Sequence, residues 1–247
     1  MKIKRLEIEL TNRCNLKCPL CFQAHTNFKT KKDLDLSVFE KIDMNEIRFI
    51  DMCGNVSEPT CHPELFKFLD SLAEGTQVKI ATNGSTHNES WWRELARKLR
   101  SHRDCYVIFS IDGLEDTHSK YRIGSNYKKL LKNIEGFNSE GGMSFAQFII
   151  FKHNQHQVED VKKLSKALGC RDTYIRISYA YKGIFEKPDQ TEVKTRHEAC
   201  ETLVEEEMHC KHLESQSAFI DFEGEVFPCC LFAGCKYMLQ QNSATDF

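Results

Sequence analysis

The chain has 247 residues, of which 40% are hydrophobic and 28% are charged, a composition that is ordinary for a globular protein. Its formal net charge of −2 does not favour a surface for nucleic acid or for a membrane. The N-terminal residues lack the apolar core of a signal peptide, and no apolar run is long enough to span a membrane. Twelve cysteines without an export signal indicate thiols that are kept reduced, which predicts a cytoplasmic protein.

Six strand-like segments alternate with helical patterns. The strand-like segments are 2–10, 46–53, 77–81, 105–111, 145–151 and 173–178. Helical spacing occupies the segments between them, at 33–42, 63–72, 90–99, 127–138 and 157–168. This alternation predicts an α/β fold with a parallel sheet and right-handed crossovers. Six units fit a partial barrel, and an open doubly wound sheet is the alternative.

The first predicted strand is followed by three closely spaced cysteines, Cys14, Cys18 and Cys21, in a C-x3-C-x2-C pattern. Three thiolates on one short loop can bind three irons of an iron–sulfur cluster, which leaves the fourth iron open to another ligand. Zinc remains an alternative on spacing alone, and His25 could then supply a fourth ligand. A disulfide is disfavoured, because three neighbouring cysteines cannot all pair locally.

This pattern, with Leu20 directly before the last cysteine, resembles the cluster motif of radical S-adenosylmethionine (radical SAM) enzymes. The resemblance implies a 4Fe-4S cluster whose open iron binds the amino and carboxylate groups of SAM. It also implies reductive cleavage of SAM to a 5′-deoxyadenosyl radical, which abstracts a hydrogen atom from the substrate. The fold that it implies is a partial (β/α)6 TIM-like barrel, in agreement with the six predicted units.

Polar residues at the ends of the predicted strands extend the resemblance. Seven of them are candidate SAM-binding residues: Asn55, Ser57, Glu58, Asn83, Ser110, Asp112 and Arg122. The segment after the second strand resembles the family's Gly-Gly-Glu-Pro region, with Ser57 where glycine is more usual, and its acid suits an ammonium group. A turn before the helix at Pro63 is a structural role that the same residues can also fill. The SIDG-x4-H-x2-YR pattern that starts at Ser110 also recurs in the family, with Asp112 a candidate for the ribose hydroxyls and Arg122 for a carboxylate.

The pattern changes near residue 182. The segment 182–196 is polar and has no apolar period, and the segment 197–247 is short and rich in cysteine. We therefore expect a barrel at 1–181, a linker, and a small metal-binding extension. Such an extension is too small to build a large core of its own, so a metal ion or cluster would stabilise it.

The tail contains four candidate metal ligands: Cys210, Cys229, Cys230 and Cys235. The spacing from Cys210 through Gly224 to Cys229 resembles the opening of a shortened SPASM-type auxiliary cluster domain. The segment 218–227 predicts a hairpin that brings Cys210 and Cys229 together, with Cys230 or Cys235 to complete the set and Cys200 a candidate fourth ligand. A second iron–sulfur cluster and a zinc ion both remain open. The remaining cysteines are expected to be small buried apolar residues: Cys53, Cys61, Cys105 and Cys170.

These patterns together predict a radical SAM oxidoreductase with a peptide or protein substrate. The substrate class rests on the resemblance, because shortened SPASM domains are often linked to peptide modification. The resemblance also implies an electron donor such as flavodoxin or ferredoxin. Oxidation of a small molecule, such as a sugar or metabolite, is one alternative. A non-catalytic metal-binding interaction protein is another, although a structural metal would not require the polar residues at the strand ends.

Overall fold

A computed structural model describes residues 2–26, 28, 30–178, 185–189, 211–233 and 236. Within these residues a single eight-stranded sheet organises the chain. Six parallel strands lie side by side in sequence order: β1 (Arg5–Ile8), β2 (Phe49–Met52), β3 (Gln77–Thr82), β4 (Tyr106–Ser110), β5 (Ser144–Ile150) and β6 (Thr173–Ile177). This sequential order confirms the six α/β units of a partial barrel, since a doubly wound sheet reverses its order near the middle.

The helices connect the strands, much as the sequence predicts. The described α-helices are α1 (Leu65–Asp70), α2 (Glu89–Leu99), α3 (His118–Tyr121), α4 (Tyr127–Ser139), α5 (Val158–Ala167) and α6 (Lys211–Glu214). Asn88 and Asn126 cap the two longest, α2 and α4, by accepting hydrogen bonds from backbone N–H groups of their first turns. The helix predicted at 33–42 is wrong as an α-helix, because the chain forms only a short 3₁₀ helix there, Leu36–Lys41, capped by Asp35.

Side chains alternate between the two faces of the sheet. In β1 and β3, Leu6, Ile8, Val78 and Ile80 are buried in the main hydrophobic core, against the helices. The opposite face carries polar residues at some of the alternate positions, such as the buried Glu7 and the half-buried Lys79, and apolar residues such as Ile108 at others. The inner face of the partial barrel is therefore mixed and partly shielded, whereas its outer face is apolar. None of the described helices is long and apolar enough to cross a membrane.

The tail hairpin predicted at 218–227 is present. Its strands are β7 (Ser217–Ile220) and β8 (Val226–Phe227), which pair in antiparallel fashion. β7 also pairs in parallel with β1, so the hairpin extends the sheet at its β1 edge. Lys32 Nζ, from the segment after the cysteine loop, lies 2.6 Å from Glu223 Oε1 in the hairpin turn. The division into barrel, linker and extension stays a prediction, because most of 182–210 lies outside the described residues.

The packing of Trp92 provides a test of the outer core. Its side chain is fully buried against Phe109 and Phe137, so Trp92→Ala should lower the free energy of unfolding by about 3–5 kcal/mol. The control is Trp91→Ala, because Trp91 stacks on Phe66 at a partly exposed position and should cost about 1 kcal/mol. Urea unfolding followed by circular dichroism measures both. Equal losses in the two variants would contradict this packing.

Candidate active site

The cysteine loop leaves the carboxyl end of β1 and is fixed by buried polar side chains. The Asn12 side chain is almost completely buried, donates to the Thr30 carbonyl at 2.9 Å and accepts from the Lys32 N–H at 2.8 Å. On the other side, the Lys17 N–H donates to the Ile123 carbonyl at 3.0 Å. These bonds attach the loop both to the segment that follows it and to the segment after β4.

The three thiols of this loop lie partly or fully buried. Cys18 packs in an apolar cluster with Leu16, Tyr121 and Phe151, and the other two thiols lie at the edge of that cluster. Burial raises the pKa of the Cys14 thiol to about 12 and also raises the pKa values of Cys18 and Cys21. The free thiols are therefore protonated at neutral pH, and metal binding would have to release their protons.

The donor set of the loop is three thiols beside an apolar cluster, which suits the predicted 4Fe-4S group. A zinc ion requires its thiolates to converge at about 2.3 Å, whereas an iron–sulfur cluster distributes them over different irons. The side chain of His25, the alternative zinc ligand, lies outside the described atoms. The three cysteines thus fit the 4Fe-4S group that their spacing predicts.

Two side chains from other strand ends direct N–H groups at these sulfurs. Asn83, after β3, places Nδ2 3.9 Å from Cys14 Sγ and donates to Asn15 Oδ1 at 2.8 Å. Arg122, after α3, places Nη1 3.9 Å from Cys18 Sγ. Donors of this kind stabilise the negative charge of thiolate ligands. The structure therefore brings two of the predicted cofactor-binding residues to the cysteine loop.

Asp112 and Arg122 form a buried ion pair. Arg122 Nε lies 2.5 Å from Asp112 Oδ2, and the other carboxylate oxygen accepts from the Ile149 N–H of β5 at 2.6 Å. Asp112 is completely buried, and the ring of His118 accepts a hydrogen bond from its backbone N–H. These internal partners hold the ends of β4 and β5 together. The predicted contact of Asp112 with the cofactor remains a prediction, as does that of Ser110, which is buried at the end of β4.

Glu58 is likewise bound to internal partners. Its buried carboxylate accepts hydrogen bonds from the Asn83 N–H at 2.7 Å, from Thr82 Oγ1 at 2.6 Å and from Thr60 Oγ1 at 2.7 Å. Its own N–H donates to the Arg13 carbonyl at 2.8 Å. Glu58 therefore connects the loop after β2 to β3 and to the cysteine loop. The predicted contact with an ammonium group remains a prediction.

Glu9 is a site residue that the sequence reasoning missed. It follows β1, is only 1% exposed, and accepts hydrogen bonds from the backbone N–H groups of Asn55 and Val56 and from the Ser57 hydroxyl. Burial raises its pKa to about 7, although these three bonds oppose the increase. One feature of the sequence could have identified Glu9: it lies at the end of the strand that leads into the cysteine loop. The structure thus shows what holds the two predicted residues Asn55 and Ser57.

The tail cysteines are only partly described. Cys200, Cys210 and Cys235 lie outside the described residues, whereas Cys229 is buried and Cys230 is partly buried. Burial raises the pKa of the Cys230 thiol to about 11, and it packs against the same small cluster as Cys53, which includes Val56 and Phe219. The tail therefore reaches the inner face of the sheet. Cys105 and Cys170 are buried as predicted, while Cys53 and Cys61 are partly exposed.

A cavity of about 310 Å³ lies beside the cysteine loop. Its wall includes Cys18, Cys21 and Phe28, together with two lysines, Lys17 and Lys31. Both lysines are exposed, and neither forms an ion pair with another described residue. Uncompensated positive charge at a concave surface attracts anionic groups, so this cavity is suited to a ligand that carries a carboxylate.

Comparison with known sequences finds one matching protein family and several similar proteins. A family model described as the radical SAM superfamily matches residues 8–165, which is more than half of the chain. The chain is 26% identical to the tungsten-containing aldehyde ferredoxin oxidoreductase cofactor-modifying protein of Pyrococcus furiosus, over 93% of this chain and 72% of that protein. It is 25% identical to the PqqA peptide cyclase of Bradyrhizobium diazoefficiens, over 64% of this chain and 42% of that protein.

Solved structures support the fold. The crystal structure of Streptococcus suis SuiB bound to S-adenosylmethionine superposes with a TM-score of 0.71 at 15% identity and covers 94% of this chain. The structure of SuiB bound to its precursor peptide SuiA superposes with a TM-score of 0.66. This chain covers 61% of the SuiB chain in both cases. At this identity the likeness establishes the fold alone.

The buried ion pair yields a prediction about stability. Arg122→Ala leaves the carboxylate of Asp112 buried without its counter-charge, so it should lower the free energy of unfolding by about 3–5 kcal/mol. The control Arg93→Ala removes a partly exposed cation from Glu89 and Glu140 and should cost about 1 kcal/mol or less.

A double-mutant cycle in the metal-free protein separates the pair from other effects. Arg122→Ala should cost less in an Asp112→Asn background, by about 1–3 kcal/mol, because no buried charge is then left unpaired. Urea unfolding measures each step. Strictly additive losses would mean that the two side chains do not interact.

Proposed function

This chain belongs to the radical SAM superfamily, and we propose on that basis that it is an iron–sulfur enzyme that cleaves SAM reductively and modifies a peptide or protein. The observation that carries the proposal is the meeting of three thiols with N–H donors from two other strand ends. A bound 4Fe-4S cluster would supply the electron for the cleavage. The chain would hold the cluster, orient SAM and exclude water.

The chain's own residues divide these tasks. Cys14, Cys18 and Cys21 would bind the cluster, and Asn83 and Arg122 would stabilise the charge of the bound thiolates. The apolar cluster around Cys18 would exclude water from that side of the loop. The loop 55–57, Glu58, Ser110 and Asp112 would shape the binding surface for SAM at the strand ends. None of these residues is yet assigned as the acid or base that acts on the substrate.

A peptide substrate is supported by the named relatives and by the cavity. One relative is a peptide cyclase, and SuiB has been solved with its precursor peptide. The cavity beside Cys18 and Cys21 presents two lysines, which would attract an acidic side chain or a C-terminal carboxylate. The electron would come from a small redox protein such as flavodoxin or ferredoxin. We place the protein in the cytoplasm, where its many thiols would stay reduced.

Modification of a small-molecule cofactor is the second candidate. It is favoured by the Pyrococcus furiosus relative, whose name describes a cofactor-modifying protein and whose match covers 93% of this chain. Both candidates require the same cluster and the same cleavage of SAM. They differ in whether a peptide or a small molecule gains or loses mass during turnover, which mass spectrometry of the reaction mixture distinguishes.

We also propose a second metal centre in the tail, either an iron–sulfur cluster or zinc. Its candidate ligands are Cys210 and Cys229 with Cys230 or Cys235, and Cys200 is the candidate fourth ligand. Support comes from the hairpin, whose second strand ends at Phe227, two residues before Cys229. A metal at Cys230 would lie against the cluster that contains Val56 and Phe219.

The proposed activity predicts a defined product. Anaerobic incubation of the reconstituted protein with SAM and dithionite should release 5′-deoxyadenosine, and replacing Cys14, Cys18 and Cys21 together by alanine should abolish that release. The triple variant should also lose most of the visible absorption of the cluster, apart from any tail centre. Cys170→Ala is the control, because this thiol is buried in the main core. Release of 5′-deoxyadenosine by the triple variant would refute the assignment.

The tail centre predicts a difference in metal content. Wild type should carry about four more iron atoms than Cys210→Ala/Cys229→Ala if the tail holds a cubane cluster, or about one more zinc ion if it holds zinc. The control is Cys105→Ala/Cys170→Ala, which removes two buried core thiols and should leave the metal content unchanged. Elemental analysis of the purified proteins measures both metals. If wild type and the tail variant contain the same amount of iron and the same amount of zinc, the proposal is refuted.

A further inference from the structure

Glu9 is buried without belonging to the hydrophobic core. Its neighbours Ile8 and Leu10 are completely buried in the main core, so alternation along the chain directs Glu9 to the opposite, inner face of the sheet. A carboxylate that is removed from water costs free energy unless strong hydrogen bonds replace its hydration. A nonpolar residue at this position would stabilise the fold more, because it has no carboxylate to remove from water. The burial of Glu9 therefore indicates a function in the site.

The partners of Glu9 are three consecutive residues of one loop. One carboxylate oxygen accepts from the Asn55 N–H at 2.9 Å and from the Val56 N–H at 3.3 Å, and the other accepts from the Ser57 hydroxyl. The loop begins at Gly54, whose φ of +59° lies in the left-handed region, so the chain turns sharply as it leaves β2. Glu9 thus fixes the direction of the N–H groups in this turn.

The same contacts determine which backbone atoms remain for a ligand. Since two N–H groups of the loop are bound to Glu9, they are not available to an anion. No described residue donates a hydrogen bond to the carbonyl oxygens of Asn55, Val56 or Ser57. A loop whose donors are bound and whose acceptors are open is suited to a cationic donor such as an ammonium group.

Glu58 cannot perform this task in its place. Its carboxylate is bound to Asn83, Thr82 and Thr60, so it holds the end of the loop against β3. Glu9 reaches the middle of the loop from the opposite side, from β1. The two acids therefore hold different parts of one short segment, and of the two only Glu9 accepts hydrogen bonds from residues 55–57.

We infer that Glu9 is a positioning residue that holds the loop 55–57 in the form that receives the amino group of SAM. The inference rests on the proposed function, because it takes SAM as the ligand of this site. It does not make Glu9 a ligand of SAM. Glu9 acts through the loop, and its removal should weaken the recognition of the amino-acid part of SAM while leaving the adenosine part unaffected.

The test compares two ligands in one variant. Glu9→Gln keeps the size of the side chain but leaves one acceptor oxygen where the carboxylate offers two. We expect the Kd for SAM to rise roughly tenfold, as for the loss of one buried hydrogen bond. The Kd for 5′-methylthioadenosine, which lacks the amino-acid part, should change by less than about twofold. Equilibrium dialysis against the reconstituted, anaerobic protein measures both.

Glu7→Gln is the matched control. Glu7 lies on the same face of β1, two residues earlier, but its carboxylate lies 3.6 Å from His212 Nδ1 and accepts no hydrogen bond from the described residues of the loop 55–57. It should leave the Kd for SAM unchanged. Ser57→Ala removes only one of the three donors and should weaken SAM binding by a smaller factor, which keeps the inference testable if Glu9→Gln does not fold.

The outcomes separate the inference from the proposed function. If wild type does not bind SAM, the proposed function fails. If wild type binds SAM and Glu9→Gln and Ser57→Ala bind it equally well, the function stands and the role of Glu9 is refuted. A parallel loss of affinity for SAM and 5′-methylthioadenosine, or the same loss in Glu7→Gln, also refutes it, since it would indicate general damage to the sheet. Thermal unfolding and iron content, measured on each variant, identify such damage directly.

Discussion

The site depends on buried carboxylates that each accept a backbone N–H from a neighbouring strand end. Glu9 after β1 binds the loop after β2, Glu58 in that loop binds the N–H of Asn83 after β3, and Asp112 after β4 binds the N–H of Ile149 in β5. The ladder of a parallel sheet stops where its strands end, so the N–H groups beyond it need other partners. Buried carboxyl groups provide these partners as hydrogen-bond acceptors.

Two residues at these strand ends also reach the thiols. Arg122 pairs with Asp112, and its guanidinium also lies near Cys18. The backbone N–H of Asn83 binds Glu58, while its side-chain amide is directed at Cys14. These two residues therefore connect the strand ends to the cysteine loop.

The sequence predicts the sheet better than it predicts the site. Strands and helices follow from the period of the apolar residues, and the six parallel strands appear where that period places them. A charged residue between apolar ones in a strand, such as Glu9, indicates a solvent face, yet this residue lies on the partly shielded inner face of a partial barrel. Its partners lie 46 to 48 residues away, so local pattern cannot identify them. The cysteine motif was recognisable because all of its residues lie on one loop.

The pairing of β7 with β1 was not predictable either, and it connects the tail to the site. The Glu9 N–H donates to the Ile220 carbonyl at 2.9 Å, so the last residue of β7 binds the backbone of the residue that accepts hydrogen bonds from the loop 55–57. Asp221, the next residue along, is completely buried and lies close enough to raise the pKa of Glu9 further. Cys230 packs against the cluster that contains Val56. The tail therefore contacts the loop 55–57 in two ways, through the backbone of Glu9 and through the side chain of Val56.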